Sequence, residues 1–491
     1  MRVLFIYSLD DVQSSRTPMR SWESIQLGIS YISSLLKANN HQTQLLVLGS
    51  NNWKESTKLL KTAVDKFDPS LICLTTIQSQ YLFIKEIASL IKDQWSDKYV
   101  IVGGAYPTLS PEDVISGSFD ALCIGEGEYP TLELCNQLES GVEPHDIANL
   151  WIKSSDGREI EKNNTREFLS DLDILPFPDR DMWKPWIKEQ LNDRFSVLLG
   201  RGCPYECAYC SNHAFKKVAH GKYVRMRSVQ SIIQEISMLN KIYPHPRMYF
   251  EVESIAINKK WMLELCSELE KFNNTLTREI TYGCNFRITP DSIDENLFIA
   301  LRKANIRQIN IGLESGNAEI RGEVLKRHYS NDDFLKVVSF ARKHDLKVLV
   351  FNMIGLPGET LKTHKETVLV NRLCQPDKHF TQVFYPYHGT ELYDNCIRNG
   401  YIKNDLAIQI ERRESVIDLP DFSKREIKKA YYLFNYHVYK GHKPLWKIGI
   451  MVIMVILAAN PTSNLLFRKV FQYPLVRKIR LKLLSVYDFN I

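Results

Sequence analysis

The sequence contains no low-complexity tract, internal repeat or heptad array, which excludes solenoids, coiled coils and disordered scaffolds. It has little net charge: 63 Lys and Arg against 57 Asp and Glu leave +6 over 491 residues. That is too mild to mark a polyanion-binding chain unless the basic residues cluster, and they do so only near the C-terminus. No nucleic-acid partner is expected. Cysteine is sparse, ten in all, which excludes a disulfide-stapled scaffold. The opening MRVLFIYSLDD meets acidic residues at once and lacks the apolar core and cleavage site of a signal peptide. A reducing cytoplasm is therefore the expected compartment.

What is present is an ordinary globular composition, 44% apolar and 24% charged, on a chain long enough for several domains. Residues 1–145 alternate short apolar runs with helical patterns: RVLFIY, an amphipathic stretch near Gly28 to Asn39, TQLLVL, SLICLT, YVIVGG and ALCIGEGE. That rhythm predicts a doubly wound α/β domain on a parallel sheet covered on both faces. Gly103 and Gly104 follow one strand, and Gly125 and Gly127 follow another, at the edge where such sheets bind ligands. Tight strand-to-helix turns are the simpler use of the same glycines.

Residues 146–190 read as a linker, because the prolines of DLDILPFPDRDMW break helix and ladder alike. Residues 191–400 supply six further strand candidates, FSVLLG, RMYFEV, EITYGC, IRQINIGLE, LKVLVFNMIG and HFTQVFYPY, mostly separated by helical stretches. They predict a partial (β/α)6 barrel with chemistry at the C-terminal strand ends. Residues 401–491 read as a helical extension.

Just after the first of these strands, Leu199-Gly-Arg-Gly-Cys203-Pro-Tyr-Glu-Cys207-Ala-Tyr-Cys210 places three thiols at spacings of four and three. Thiolates suit iron–sulfur clusters or zinc. A structural site needs four ligands, and no fourth cysteine lies nearby. Three ligands leave one iron open to chelate a substrate. The alternatives are a zinc knob completed by His213 or His220, or buried cysteines without a metal.

The loop resembles the radical S-adenosylmethionine superfamily, whose C-x-x-x-C-x-aromatic-C pattern is matched by Cys203, Cys207, Tyr209 and Cys210. Arg225-Met-Arg227-Ser228 resembles the segment that follows the cluster in that family. MYFEVES stands in place of an acidic second strand, with Glu251 and Glu253 where relatives often carry adjacent aspartates. Ile311-Gly-Leu-Glu314-Ser315-Gly316 is similar to the fourth-strand element whose glutamate helps bind S-adenosylmethionine, a task a carboxylate acceptor can perform. Gly355-Leu-Pro357-Gly358-Glu359-Thr360 resembles the fifth-strand loop that cradles adenosine. Pro386-Tyr-His388-Gly389-Thr390 resembles a sixth-strand element that closes the barrel, so His388 is expected to be structural. The resemblance implies S-adenosylmethionine bound by Tyr209, Glu251, Glu314, Ser315, Gly355, Pro357 and Gly358, and a [4Fe-4S] cluster on the three cysteines.

The first domain, through Thr75-Thr76, Gly103-Gly104-Ala-Tyr-Pro-Thr108 and Gly125-Glu126-Gly127, resembles the cobalamin-binding domain that precedes many such barrels. The resemblance covers roughly residues 1–400. No histidine follows Asp10 and Asp11, so the D-x-H-x-x-G cobalt ligand of classical cobalamin domains is missing. A cobalamin-dependent radical enzyme is implied: reductive cleavage of S-adenosylmethionine to a deoxyadenosyl radical and, most simply, methylation of an unactivated carbon on a small or lipid-like substrate. Its electron donor would be a flavodoxin or ferredoxin. Ring formation or oxidation on a lipid, isoprenoid or other secondary metabolite is the enzymatic alternative, and a non-catalytic electron carrier the alternative from another class. No individual catalytic side chain stands out.

Near the C-terminus, Ile448 to Ala459 is an apolar stretch of twelve residues, short of the ~20 a spanning helix needs. Arg468, Lys469, Arg477, Lys478, Arg480 and Lys482 follow, interleaved with apolar residues. The two readings are a helix buried on the barrel and, through residues 445–482, peripheral contact with the inner face of a membrane.

Overall fold

The computed structural model describes residues 1–9, 18–19, 21–187, 194–243, 246–402 and 412–459. The chain divides into two compact units. The first comprises Met1–Glu206, Cys210–Glu251 and Tyr387–Thr390, and the second Cys207–Tyr209, Val252–Pro386 and Glu391–Ile491.

In the first unit, β1 (Arg2–Leu9), β2 (Gln42–Gly49), β3 (Leu71–Thr75), β4 (Tyr99–Gly103), β5 (Ala121–Cys123), β6 (Leu150–Lys153) and β7 (Ile160–Lys162) build one sheet. Its order is β2-β1-β3-β4-β5-β6-β7, with β1 to β5 parallel to one another and β6 antiparallel to β5. Side chains alternate across a strand, so a run that is apolar at every position has to be covered twice. Val3, Phe5, Leu45 and Val47 face one core with the helices Leu27–Ala38 and Glu128–Glu139. Leu4, Ile6, Leu46 and Leu48 face the other with Trp53–Phe67 and Tyr81–Gln94. The order reverses at β1 and β3, which opens a crevice at the carboxyl ends of the strands.

The structure differs from the linker reading over two stretches. Leu150–Lys153 and Ile160–Lys162 pair antiparallel as a hairpin on the sheet edge; each is too short to show a period in sequence. The proline-rich segment is also fixed in place. Trp183 is completely buried and its indole N–H donates to Ser30 Oγ at 2.8 Å, while Ser33 Oγ donates to Asp179 at 2.7 Å.

The same unit holds β8 (Arg194–Leu198), β9 (Gly200–Arg201), β10 (Arg225–Met226) and β11 (Arg247–Glu251). β8 pairs parallel with β11, and β9 antiparallel with β10. Glu235, on the helix Val229–Ile242, is fully buried between Arg180 and Arg227. A carboxylate without solvent requires such partners, and here they tie the proline-rich segment and the strand ends to one helix: Arg180 also donates to Ser196 O, and Arg227 to Leu198 O, at 2.8 and 2.9 Å.

In the second unit, β12 (Thr281–Phe286), β13 (Ile306–Glu314), β14 (Lys347–Ile354) and β15 (Lys378–Val383) lie parallel in that order. The helices between them start on local caps. Ser330 Oγ accepts from Asp333 N at 3.0 Å, and Asp333 accepts in return from Ser330 N at 2.9 Å, a reciprocal pairing that satisfies two otherwise unpaired amides. The helices Lys424–Tyr439 and Leu445–Ala459 complete the unit. No described helix is long and apolar enough to cross a membrane.

Candidate functional site

The first unit contains a cleft of about 490 Å³ at the β1/β3 switch point. Thr75, Thr76, Gly103, Gly104, Gly125, Glu126 and Gly127 all line it, and Thr108 lines an adjoining cleft. Gly104 is required on two counts: its φ is +106°, and a Cβ there would lie 2.6 Å from Thr76 O. Gly125 has φ +83°. Thr108 joins the two turns, its Oγ1 donating to Gly104 O at 2.8 Å and accepting from Gly125 N at 3.1 Å. The strand ends therefore present backbone to the cleft, packed so closely at Gly104 that a Cβ would collide with Thr75 and Thr76. That surface suits the close approach of a phosphate-bearing tail.

Glu126 lines the cleft but is engaged elsewhere. It receives Arg201 at 2.8 Å, Arg225 at 2.9 Å and the Leu169 amide at 3.0 Å, and Arg201 also pairs with Glu128. Burial alone would raise the carboxyl pKa; the two guanidinium groups outweigh it and hold Glu126 below the usual carboxylate value. It is thus an ion-pair anchor for β9 and β10, a role for which sequence gave one signal, the Arg225 of the R-x-R-S segment.

Cys203, Cys207 and Cys210 occupy the loop after β9, Cys203 and Cys207 buried and Cys210 partly so. Asn212 Nδ2 approaches Cys210 Sγ at 3.7 Å, and an Arg287 guanidinium N–H donates to Cys207 Sγ at 2.8 Å. Among the described residues no three His, Cys, Asp or Glu side chains are grouped to hold one metal ion. A cubane cluster asks for a different donor set, with each thiolate on its own iron. Three thiols on one loop with cationic donors beside Cys207 fit that demand. Elsewhere burial pushes the thiols of Cys123, Cys135, Cys266, Cys374 and Cys396 up to about 12, as desolvation does to a thiol in an apolar core.

Around Cys207–Tyr209 the second unit assembles a buried polar group. At the end of β13 the register shifts between Gly312 and Glu314, and Glu314 adopts φ +60°. Its side chain folds back over Gly312 so closely that a Cβ there would collide with the carboxylate, which is why the motif demands glycine. Tyr209 Oη donates to Glu314 at 3.3 Å, and Arg327 donates to Glu314 at 3.3 Å, to Tyr209 Oη at 2.9 Å and to Gly312 O at 2.8 Å. Burial raises the Glu314 pKa, and Arg327, Tyr209 and Arg287 offset only part of that effect. Ser315 is fully buried in the following turn, its carbonyl held by Arg321 at 2.9 Å. After β14, Gly355 and Gly358 have φ +80° and +77°, and Pro357 between them is buried. The buried Glu359 carboxylate accepts from the amides of Gly355 and Leu356 at 2.5 and 3.1 Å, so the loop is braced by its own acid, and Ile427 of the helix Lys424–Tyr439 backs Gly355.

The structure thus brings Tyr209 and Glu314 together and places Ser315 in the supporting turn. Glu251 belongs to the first unit, where it accepts the Ser196 hydroxyl at 2.7 Å, and Glu253 is exposed. His388 also belongs to the first unit, edge-on to Tyr106. Sequence reasoning missed Arg201, Arg287 and Arg327. Arg287 carried a detectable signal, its position one residue beyond a strand end; the others did not.

Known families account for both units. The radical SAM superfamily matches residues 197–369, and the B12-binding domain matches residues 23–134. Similar proteins include an uncharacterized methyltransferase of Pyrococcus horikoshii, 24% identical over 409 residues, 82% of this chain and 85% of that one. The anaerobic magnesium-protoporphyrin IX monomethyl ester cyclase of Rubrivivax gelatinosus is 22% identical over 404 residues, 80% of this chain and 69% of its own. The fold is shared with the radical S-adenosylmethionine methyltransferase TsrM from Kitasatospora setae, solved with cobalamin and a [4Fe-4S] cluster, at TM-score 0.64 and 15% identity over 81% of this chain and 75% of that one. The chain therefore combines a radical S-adenosylmethionine domain with an N-terminal B12-binding domain. Those domains imply a [4Fe-4S] cluster, S-adenosylmethionine and cobalamin as its cofactors.

Because Glu126 is held below its ordinary pKa, its stabilising effect is present above the carboxylate range and is lost as pH falls through the folded-state value. Glu126→Gln should cost about 3 kcal/mol at neutral pH, as expected for breaking a buried pair, and the cost should shrink in acid. Denaturant titrations at both pH values check this; equal midpoints at neutral pH would contradict it.

Proposed function

We propose that the chain methylates an unactivated carbon of a small or lipid-like molecule. The observation that carries this reading is the presence, on one chain, of the three-thiol loop and of a sheet-edge cleft lined by the turns at Gly103-Gly104 and Gly125-Gly127. When bound, the three cofactors supply reducing power, a radical source and a methyl carrier. Cys203, Cys207 and Cys210 hold the cluster and leave one iron for S-adenosylmethionine. Tyr209 and Glu314 offer a hydroxyl and a carboxylate to the amine or ribose of that ligand, the Ser315 turn shapes its surroundings, and the open backbone at Gly355, Pro357 and Gly358 receives the adenosine. Thr75, Thr76, Gly103, Gly104, Thr108, Gly125 and Gly127 receive cobalamin, with Glu126 bracing the wall behind them. A low-potential one-electron donor such as flavodoxin or ferredoxin reduces the enzyme. The relative named as a cyclase keeps ring formation as the competing outcome.

Incubating the reduced, cobalamin-loaded enzyme with methyl-deuterated S-adenosylmethionine and a metabolite extract separates the two. Methylation predicts deoxyadenosine together with a product carrying the deuterated methyl group. Deoxyadenosine with a product lacking the label would mean cyclisation or oxidation.

A cytoplasmic protein resting on the inner membrane face is the reading favoured by the helix Leu445–Ala459. Ile448 is buried against the core, yet Leu445, Trp446 and Ile453 are 66%, 57% and 55% exposed. Water-facing apolar residues on a helix that is otherwise packed are what an interfacial anchor presents. The basic residues Arg468 to Lys482 that would meet anionic lipid lie outside the described residues. Co-sedimentation with phosphatidylglycerol vesicles should exceed that with phosphatidylcholine and fall several-fold in a Trp446→Glu, Ile453→Glu variant. Equal sedimentation of variant and wild type would contradict the anchor.

A further inference from the structure

We infer that Arg287 is a positioning residue that sets the reduction potential of the cluster through Cys207, an inference that rests on the reading of Cys207 as a cluster ligand. Arg287 follows β12 directly, and its main chain is pinned on both sides. Its amide donates to Ser254 Oγ at 3.0 Å and its carbonyl accepts from Ser292 Oγ at 3.1 Å. With the backbone fixed, the guanidinium reaches Cys207 Sγ at 2.8 Å, eighty residues away in sequence.

The second cation near this thiol is occupied with other acceptors. Arg327 is buried and feels the charge of Cys207, but its N–H groups go to Tyr209, Gly312 O and Glu314. Arg287 contributes the directed contact with the sulfur. A charge-assisted N–H to a thiolate withdraws electron density from it, and hydrogen bonds to cluster sulfurs are among the levers that set cluster potential. Reduction adds one negative charge to the cluster, taken from an external low-potential donor, so a positive donor fixed on a ligand sulfur favours the reduced form. Burial of Cys207 from water strengthens the effect by lowering the local dielectric. Arg287 therefore makes the cluster easier to reduce.

The test is an anaerobic redox titration of the reconstituted full chain, with dithionite as reductant, S-adenosylmethionine absent and the reduced cluster followed by electron paramagnetic resonance. At the wild-type midpoint the reduced-to-oxidised ratio of Arg287→Gln should fall about tenfold, equivalent to about 59 mV for a one-electron couple. Arg287→Lys, which keeps the charge without the planar fork, should lie between the two. A Gln variant that holds its cluster at an unchanged midpoint overturns the inference, and an altered affinity for S-adenosylmethionine alongside that unchanged midpoint would assign Arg287 to the ligand instead. Should the Gln variant hold no cluster, the Lys variant decides: a lowered midpoint supports the directed bond, and a wild-type midpoint refutes it. Wild-type protein that cannot be loaded at all would remove the ligand reading itself, a separate outcome.

Discussion

Several carboxylates withdrawn from solvent in this chain are met by guanidinium groups, and the loops at the strand ends are arranged around those pairs. Glu235 with Arg180 and Arg227, Glu126 with Arg201 and Arg225, and Glu314 with Arg327 are three instances. A lone buried charge is costly enough to disrupt folding locally, whereas a paired one is tolerated and fixes geometry. Glu235 with Arg180 and Glu126 with Arg201 and Arg225 join segments 55, 75 and 99 residues apart, so these pairs select one loop arrangement from many. The sheets supply rigid strand ends, and the ion pairs decide where the loops leave them.

This division explains what could be read beforehand. The parallel strands of the first sheet were legible because both faces are buried, so RVLFIY and TQLLVL are apolar at almost every position. The cysteine loop was legible because its chemistry is local, three thiols within eight residues. Glu314 was found through its motif, and the structure adds why the motif has its form: the carboxylate folds over Gly312, where no side chain fits. The β6/β7 hairpin escaped because four and three residues cannot display a period. The proline-rich segment was read as a connection although Trp183 is part of the core. Prolines excluded regular structure there without excluding burial.

The arginines were illegible for a different reason. A guanidinium six bonds from its backbone finds its partner only after the fold is complete; Arg327 meets Tyr209 across 118 positions and Arg225 meets Glu126 across 99. Sequence patterns report the covalent neighbourhood and the periodicity of burial, and long-range ion pairs belong to neither. Residues that accompany the site therefore emerged from the structure, while those expected to touch cofactor emerged from spacing and resemblance.

The central claim is that one chain holds two independent redox cofactors, a cluster on Cys203, Cys207 and Cys210 and a corrinoid at the glycine-lined sheet edge. Iron and cobalt content of anaerobically purified protein, measured for wild type and for Cys207→Ala, tests it most directly. The account predicts both metals in the wild type and, in the variant, loss of iron with cobalt retained. Iron retained in the variant, or no cobalt in a wild type supplied with cobalamin, would contradict it.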